Sequence, residues 1–447
     1  MNKRKYLMLF LMLVGGLFQL RAQQMISLKE ALEYALQNKA DAVKANLAVK
    51  NAEYQITEAT SAALPKINAS GGITYNPILQ QSALPGDMLG KPGEIIMVPF
   101  GRKWGSQIGV QLQQMLFSQQ VFIGLKAAKT TKEFYQINKQ LTDETLIENV
   151  STAYYQVFTQ KEKLKTIDSS YASTLKVRNI IKSLYENGLA KKVDLDRTNV
   201  NLTNLETSRS QMRNAVIQSE NALKFYIGMP IENPIQLVEA DVDVEVPLLE
   251  ETMDTEKRTE VQALEKKRTL LDYNLKATQS SLYPTLSLVG NYAWQGIGDK
   301  FPIGPGKSQG VYWTDYASIG LQLNIPIFNG LQIKSKVDQA KIELETLEQD
   351  LKDTKLGMDL QYQNAKAQIE NSLEAIRNQK ANVELAETVL GNTKSNYQYG
   401  LAPLTDLLDA ESSLVQAKNN YTNALLDFKV AEIQLYKAKG ELTKLMK

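Results

Sequence analysis

With no histidine and no cysteine in 447 residues, the chain cannot use imidazole proton transfer, a thiolate nucleophile or most zinc sites. Carboxylate, Ser/Lys and Tyr chemistry remain. The acids that stand out are Asp406 and Asp409, just behind the turn Gly400-Leu401-Ala402-Pro403. If Pro403 begins a helix, Asp406 complements the positive N-terminal end of that helix. Elsewhere acids and bases are spread over helical surfaces, and nothing resembles a phosphate-binding loop. These residues predict a protein that is not an enzyme, with no cofactor and no metal.

The elements that position these residues begin after residue 22. Asn2-Lys3-Arg4-Lys5, the apolar run Tyr6 to Val14 and the small-residue end Leu20-Arg21-Ala22 predict a secretory signal peptide over residues 1–22. Without the bases Lys3, Arg4, Lys5 and Arg21, 47 bases face 49 acids, a net charge of −2. No clustered basic excess for nucleic acid is left. After residue 22 no apolar run approaches the ~20 residues of a transmembrane helix, so a bilayer could be crossed only by a closed β-barrel.

The chain reads as two copies of one plan. The segment 185–201 recurs at 397–413 with an offset of 212, and ten identities span 44 positions up to Gly228 and Gly440. GVQLQQMLFS (109–118) recurs as GLQLNIPIFN (320–329), and LPKINASGGITYN (64–76) as YPTLSLVGNYAWQ (283–295). Three segments in one order indicate a duplication.

Within each copy the period changes from helix to strand. Ser27 and Glu30 form a capping box, Leu28, Ala35, Ala42, Val49, Ile56 and Ala63 repeat every seven residues, and Pro65 stops this helix. Period two follows. Ile67, Ala69, Gly71, Ile73 and Tyr75 share one face, as do Trp104, Ile108, Val110 and Leu112. In the second copy Leu286, Leu288, Gly290, Tyr292 and Trp294 share a face, and Ala317, Ile319, Leu321, Leu323 and Ile325 another. The opposite faces hold Gln, Asn and Ser. This pattern predicts membrane β-strands with a lipid face and a water face. Four strands cannot close a barrel that needs about eight or more, so the chain must oligomerise.

Long helices of roughly 70 residues, about 105 Å each, lie between the strands, from about Ser118 to Asn187 and from about Leu331 to Tyr399. Val337, Leu344, Leu351, Met358 and Ala365 repeat every seven residues. So do Leu407, Leu414, Tyr421, Phe428 and Leu435, beside an alanine column from Ala410 to Ala438. These are heptad seams. Each long helix turns back at a G-L-A sequence, Gly188-Leu189-Ala190 and Gly400-Leu401-Ala402. Between the copies, Val242, Val244 and Val246 alternate with acids and predict a small strand.

The layout resembles the TolC family of outer-membrane efflux proteins. The carrying residues are the Ser27-to-Leu32 opening, Leu64-Pro65, GLAKKVDL, GLAPLTDLLDAE and Phe328-Asn329-Gly330. The resemblance implies a homotrimer in the outer membrane, with four strands per protomer in a twelve-stranded β-barrel and the helices in a periplasmic α-helical coiled-coil barrel. It implies an exit duct for a tripartite efflux pump or type I secretion system, meeting a periplasmic adaptor (membrane fusion) protein and an inner-membrane transporter of RND or ABC type. By position, Gly188, Leu189, Ala190, Gly400, Leu401 and Ala402 match adaptor-contact tips. Asp406 and Asp409 match acids that ring the periplasmic constriction, and Tyr397 a residue of its latch. Ala402 stands where some relatives carry a basic latch residue. The organisation predicted is 1–22 signal peptide, 23–228 first repeat, 229–253 linker and 254–447 second repeat. The first repeat has strands 67–76 and 104–117 and a tip at 188–192. The second has strands 285–295 and 316–328 and a tip at 400–403. The alternative is a coiled-coil scaffold or adaptor of the cell envelope, which explains the heptads but not two matched pairs of lipid-facing strands.

Overall fold

The computed structural model describes residues 24–238, 244, 253–302 and 310–446. The segment 1–22, and Val242 and Val246 of the expected linker strand, lie outside the described residues. Two compact units form. One combines the chain up to Val49 with Tyr135–Glu265 and Gln349–Lys447; the other combines Lys50–Phe134 with Lys266–Glu348. Each draws on both halves of the sequence. No described helix is long and apolar enough to cross a membrane.

The second unit contains a four-stranded antiparallel sheet. Its strands are β2 (Lys66–Tyr75), β5 (Trp104–Phe117), β7 (Thr285–Gly298) and β8 (Val311–Asn324), in the order β2-β5-β7-β8. The register joins the four apolar rows. Ile67 lies opposite Leu112, Val110 opposite Tyr292, Ile108 opposite Trp294, and Gly290 opposite Ile319. Directly opposed residues share a face, so the rows make one continuous apolar surface. Ile67 and Ile319 on it are exposed. A bulge between Met115 and Phe117 sets Phe117 opposite Leu286, which returns an aromatic ring to that surface. The other face carries Asn68, Gln111, Asn291 and Ser318 in register, and the Gln107 amide donates to the Tyr316 hydroxyl at 3.0 Å. β2 and β8 each have one neighbour, which leaves two open edges. Open edges do not persist in hydrocarbon, so further copies must close the sheet.

The last strand differs from the expected 316–328: it spans Val311–Asn324. Pro326 has no N–H to give a ladder, which ends the strand early, and the aromatic segment before Tyr316 pairs with the end of β7. Between β2 and β5 the Pro- and Gly-rich stretch forms its own hairpin, β3 (Gln81–Pro85) and β4 (Ile95–Pro99).

The first unit opens with β1 (Gln24–Ile26), which pairs in parallel with β6 (Ile235–Leu237). The helix after Ser27 has the expected capping box: the Ser27 N–H donates to Glu30 Oε2 at 2.8 Å, and the Glu30 N–H to Ser27 Oγ at 3.3 Å. The Ser27 amide holds the Glu30 carboxyl below the usual carboxylate range. One helix to Pro65 was expected. The structure has two, α1 (Leu28–Asn38) and α2 (Ala40–Ser61), because Lys39 is extended with ψ 132°.

Tertiary contact explains this break. Lys39 Nζ donates to the Phe225 carbonyl at 2.8 Å and sits 3.6 Å over the Phe225 ring, in the last turn of α4 (Lys192–Ile227). That helix ends at Gly228 with φ 76°, where a Cβ would come within 2.9 Å of Lys39 Cα. In the second half Arg258 precedes α5 (Thr259–Ser280), a helix of 22 residues like α2. Its NH1 donates at 2.7 Å to the Ala438 carbonyl in the last turn of α7 (Leu404–Lys439). Both halves thus set a cation on the negative end of the returning helix.

The long helices are α3 (Gln119–Glu186) and α6 (Gln332–Gln398). The expected seams are buried where α6 meets α7: Tyr362, Ala365, Ile369 and Ile376 pack with Ala424, Phe428, Ala431, Leu435 and Ala438. Tyr154 and Tyr155 lie in and against the other core, with Leu32, Val150 and Ile227. Tyr154 donates to Ile26 O and Val238 O, each at 3.3 Å. Burial pushes both hydroxyls up to about 12 from 10.0, with Glu30 adding to Tyr154 and Glu432 to Tyr155. A raised folded pKa means stability that is complete below pH ~10 and lost as pH climbs toward ~12. Tyrosinate absorbance and loss of helical circular dichroism are therefore expected to rise together in that window. Helix content unchanged after these tyrosines ionise would contradict the packing.

Candidate functional site at the hairpin tips

The two turns share one geometry. Gly188 has φ 74° and Gly400 φ 72°. The Gly188 N–H donates to Tyr185 O at 2.9 Å and the Leu189 N–H to Leu184 O at 2.8 Å. In the second turn Gly400 N–H donates to Tyr397 O at 3.0 Å and Leu401 N–H to Asn396 O at 2.8 Å. These are Schellman caps, and they need a left-handed residue that only glycine adopts without strain. A Cβ at either glycine meets nothing within 4 Å, so φ alone is the constraint. Lys191 and Pro403 are the N-cap residues of the returning helices. Pro403 was expected inside the first turn; it stands one residue earlier, with extended backbone.

Ile181 of α3 and Leu404 and Leu407 of α7 form a buried cluster, with Val177, Ala190, Leu195, Leu390, Tyr397 and Leu408 around it. The two tips are thereby packed side by side. Leu189 and Leu401, second residues of the two turns, are 76% and 77% exposed, and Tyr399 is 80% exposed. Among the described residues, none covers these three side chains. A groove of about 700 Å³ runs between the tips, lined among others by Gly188, Leu189, Ala190, Lys191, Asp194, Lys394, Tyr397, Gly400 and Ala402.

The structure brings Tyr397 together with both G-L-A turns. It does not bring Asp406 and Asp409 there: both are exposed on α7, while Leu404, Leu407 and Ala410 beside them are buried. Thr405 Oγ1 donates to Asp406 Oδ1 at 3.4 Å. Tyr397 instead feels Asp194. Burial raises its hydroxyl pKa, and the Asp194 charge raises it further. Asp194, Lys191 and Lys394 were not singled out from the sequence, although the repeat offset that pairs Asp194 with Asp406 pointed to the first of them. Farther along the same helices, Glu411 is buried and accepts from Ser173 Oγ at 2.6 Å and Thr174 Oγ1 at 2.7 Å. This ties α7 to α3 in one register. Among the described residues no group of three acids is placed to hold a metal. The tips thus offer apolar knobs, a groove with charges of both signs, and exposed aspartates for a ring of copies.

The family model described as Outer membrane efflux protein matches residues 31–229 and 255–441. Outer membrane protein TolC of Vibrio cholerae is 22% identical over 397 residues, covering 87% of this chain and 84% of that one. The probable efflux pump outer membrane protein TtgC of Pseudomonas putida is 24% identical over 438 residues, covering 93% and 83%. Among solved structures, VceC of Vibrio cholerae superposes with a TM-score of 0.70 at 16% identity, covering 92% of this chain and 96% of that one. CmeC of Campylobacter jejuni gives 0.71 at 18%, covering 93% and 85%. The fold is that of trimeric outer-membrane channels, in which strands from each protomer build a barrel and the helices a tunnel. This chain belongs to the outer membrane efflux protein family.

Proposed function

We propose that this outer-membrane channel is the passive exit duct of an efflux or secretion assembly and is opened at its tips by a periplasmic adaptor. The family's channels form trimers and work with adaptor and inner-membrane pump partners. The observation that carries the reading is the exposed pair of Schellman turns. Leu189 and Leu401 are held out by backbone geometry, uncovered by any of the described residues, as surface knobs for a second helical hairpin. Tyr397, against Asp194, packs the second tip onto the first and serves as the latch. Asp406 and Asp409 from three protomers ring the constriction and favour cations. An inner-membrane transporter of RND or ABC type supplies the energy. A coiled-coil scaffold would leave the apolar sheet face and its open edges without a purpose.

Planar-bilayer recording tests the channel itself. Small, cation-preferring openings from purified trimer are expected, and well-folded trimer that never conducts would sink the reading. The tips have their own test. Leu189→Asp/Leu401→Asp is expected to leave the trimer intact and to cut adaptor cross-linking and export at least about tenfold, the cost of placing a charge in an apolar contact. Unchanged cross-linking would remove these residues from the interface.

A further inference from the structure

The hairpin β3–β4 stands at the end of the sheet opposite to the ends joined to α2 and α3. It leaves β2 after Tyr75 and returns to β5 at Trp104, with Asn76 N–H donating to Lys103 O and Phe100 N–H to Gln80 O. Its turn is ordered: Gly86 N–H donates to Glu94 O at 2.7 Å, and Gly93 N–H to Asp87 Oδ1 at 3.2 Å. Register sets Ala83 opposite Met97 and Pro85 opposite Ile95 on one face, and that face is exposed. Ile95 is 78% exposed, and Ile78 and Phe100 at the base are 89% and 72% exposed. No charge lies on this face; Asp87, Lys91 and Glu94 sit in the turn and Arg102 and Lys103 beyond the base. An isolated two-stranded hairpin is at best marginally stable, and an apolar face of this kind marks a contact.

Two observations choose the occupant. The hairpin begins six residues after β2, an open edge of the sheet, so it is continuous with the seam where the next protomer of the family's trimer must pair. It also lies beyond the aromatic row Tyr75, Trp104 and Phe301, whose ring centroids are 4.6 and 5.1 Å apart, the first pair tilted and the second edge-to-face. Aromatic rows of this kind mark the membrane surface, which puts the hairpin past the hydrocarbon. Pro85 and Pro99 at the strand ends cannot donate to an added strand, which favours face contact over edge pairing. We propose that this face is an inter-protomer surface: hairpins of the three copies pack together and narrow the outer mouth of the channel. The proposal rests on the trimeric exit-duct reading.

The chain has no cysteine, so Met97→Cys gives a single thiol per protomer. Oxidation of the purified trimer is expected to link roughly two-thirds of the chains in pairs, since three-fold symmetry leaves one thiol over. Ile95→Asn/Met97→Asn, made in the Asp406→Ala/Asp409→Ala background so that the periplasmic constriction limits the current less, is expected to keep the trimer and raise single-channel conductance further, by opening the mouth. Intact trimer that forms no pairs, even with a short bismaleimide, overturns the proposal and leaves the exit-duct reading standing. So does a fluorophore at position 97 that nitroxide-labelled lipid quenches, which would place the hairpin against the bilayer. Failure to trimerise would sink both.

Discussion

The double variant Asp406→Ala/Asp409→Ala is expected to conduct more than the parent channel and to lose its preference for cations, by roughly tenfold in the cation-to-anion permeability ratio. Both carboxylates are exposed in the protomer, and neither holds the tip cluster together. Their removal therefore leaves Leu404 and Leu407 buried and the turn at Gly400 in place. In a trimer six carboxylates would face one narrow pore, and the attraction of each for a passing cation adds to the others. Raising the salt concentration should erode the parent's selectivity and leave the variant unmoved, because the field of exposed charges is screened within about 8 Å at physiological ionic strength. Selectivity unchanged by the substitutions would reduce Asp406 to a helix-end charge.

Replacing Arg258 by Met is expected to cost about 3 kcal/mol, against about 1 kcal/mol for Lys39→Met. The two cations occupy the same place in the two halves, yet their surroundings differ. Arg258 is 2% exposed, NH1 donates to the Ala438 carbonyl, and NH2 and Nε donate to the Glu260 carboxylate at 2.6 and 3.2 Å. Its Cδ packs 3.3 Å from where a Cβ on Gly440 would lie. Met fills much of that volume but strips a helix-terminal carbonyl and a half-buried carboxylate of their donor. Lys39 is only partly covered, and water can replace it at the Phe225 carbonyl. Denaturation of detergent-solubilised protein, followed by circular dichroism, should show the larger shift for the arginine variant. Equal shifts would mean that the buried guanidinium is no more than a space-filler.

Much of the architecture was legible before any coordinates, and Gly188 and Gly400 show why. A glycine behind a heptad seam, followed by a proline or a fresh apolar period, marks a helix end because the left-handed cap is a local demand of the backbone. Both glycines are in that conformation. The alternation in Lys66–Tyr75 and Thr285–Gly298 was readable for the same reason, since period two is a property of one strand. The break at Lys39 was not readable. No glycine or proline marks it, and its cause is the approach of Gly228 and Phe225, nearly two hundred residues away in the chain.

The tip shows the same division. The sequence placed Tyr397, Asp406 and Asp409 within one turn-and-helix segment. The structure separates them, turning Tyr397 toward Asp194 of the other hairpin and leaving the aspartates outside the groove. By itself, the sequence determined the long helices and the four membrane strands, their order, their duplication and which side of each strand was apolar, because these follow from local periods and backbone preferences. Tertiary structure alone decided which rows join into one lipid face, where α1 and α2 part, and which charge meets which carbonyl. Register and long-range pairing depend on contacts between residues far apart in the chain, and a local period carries no information about them.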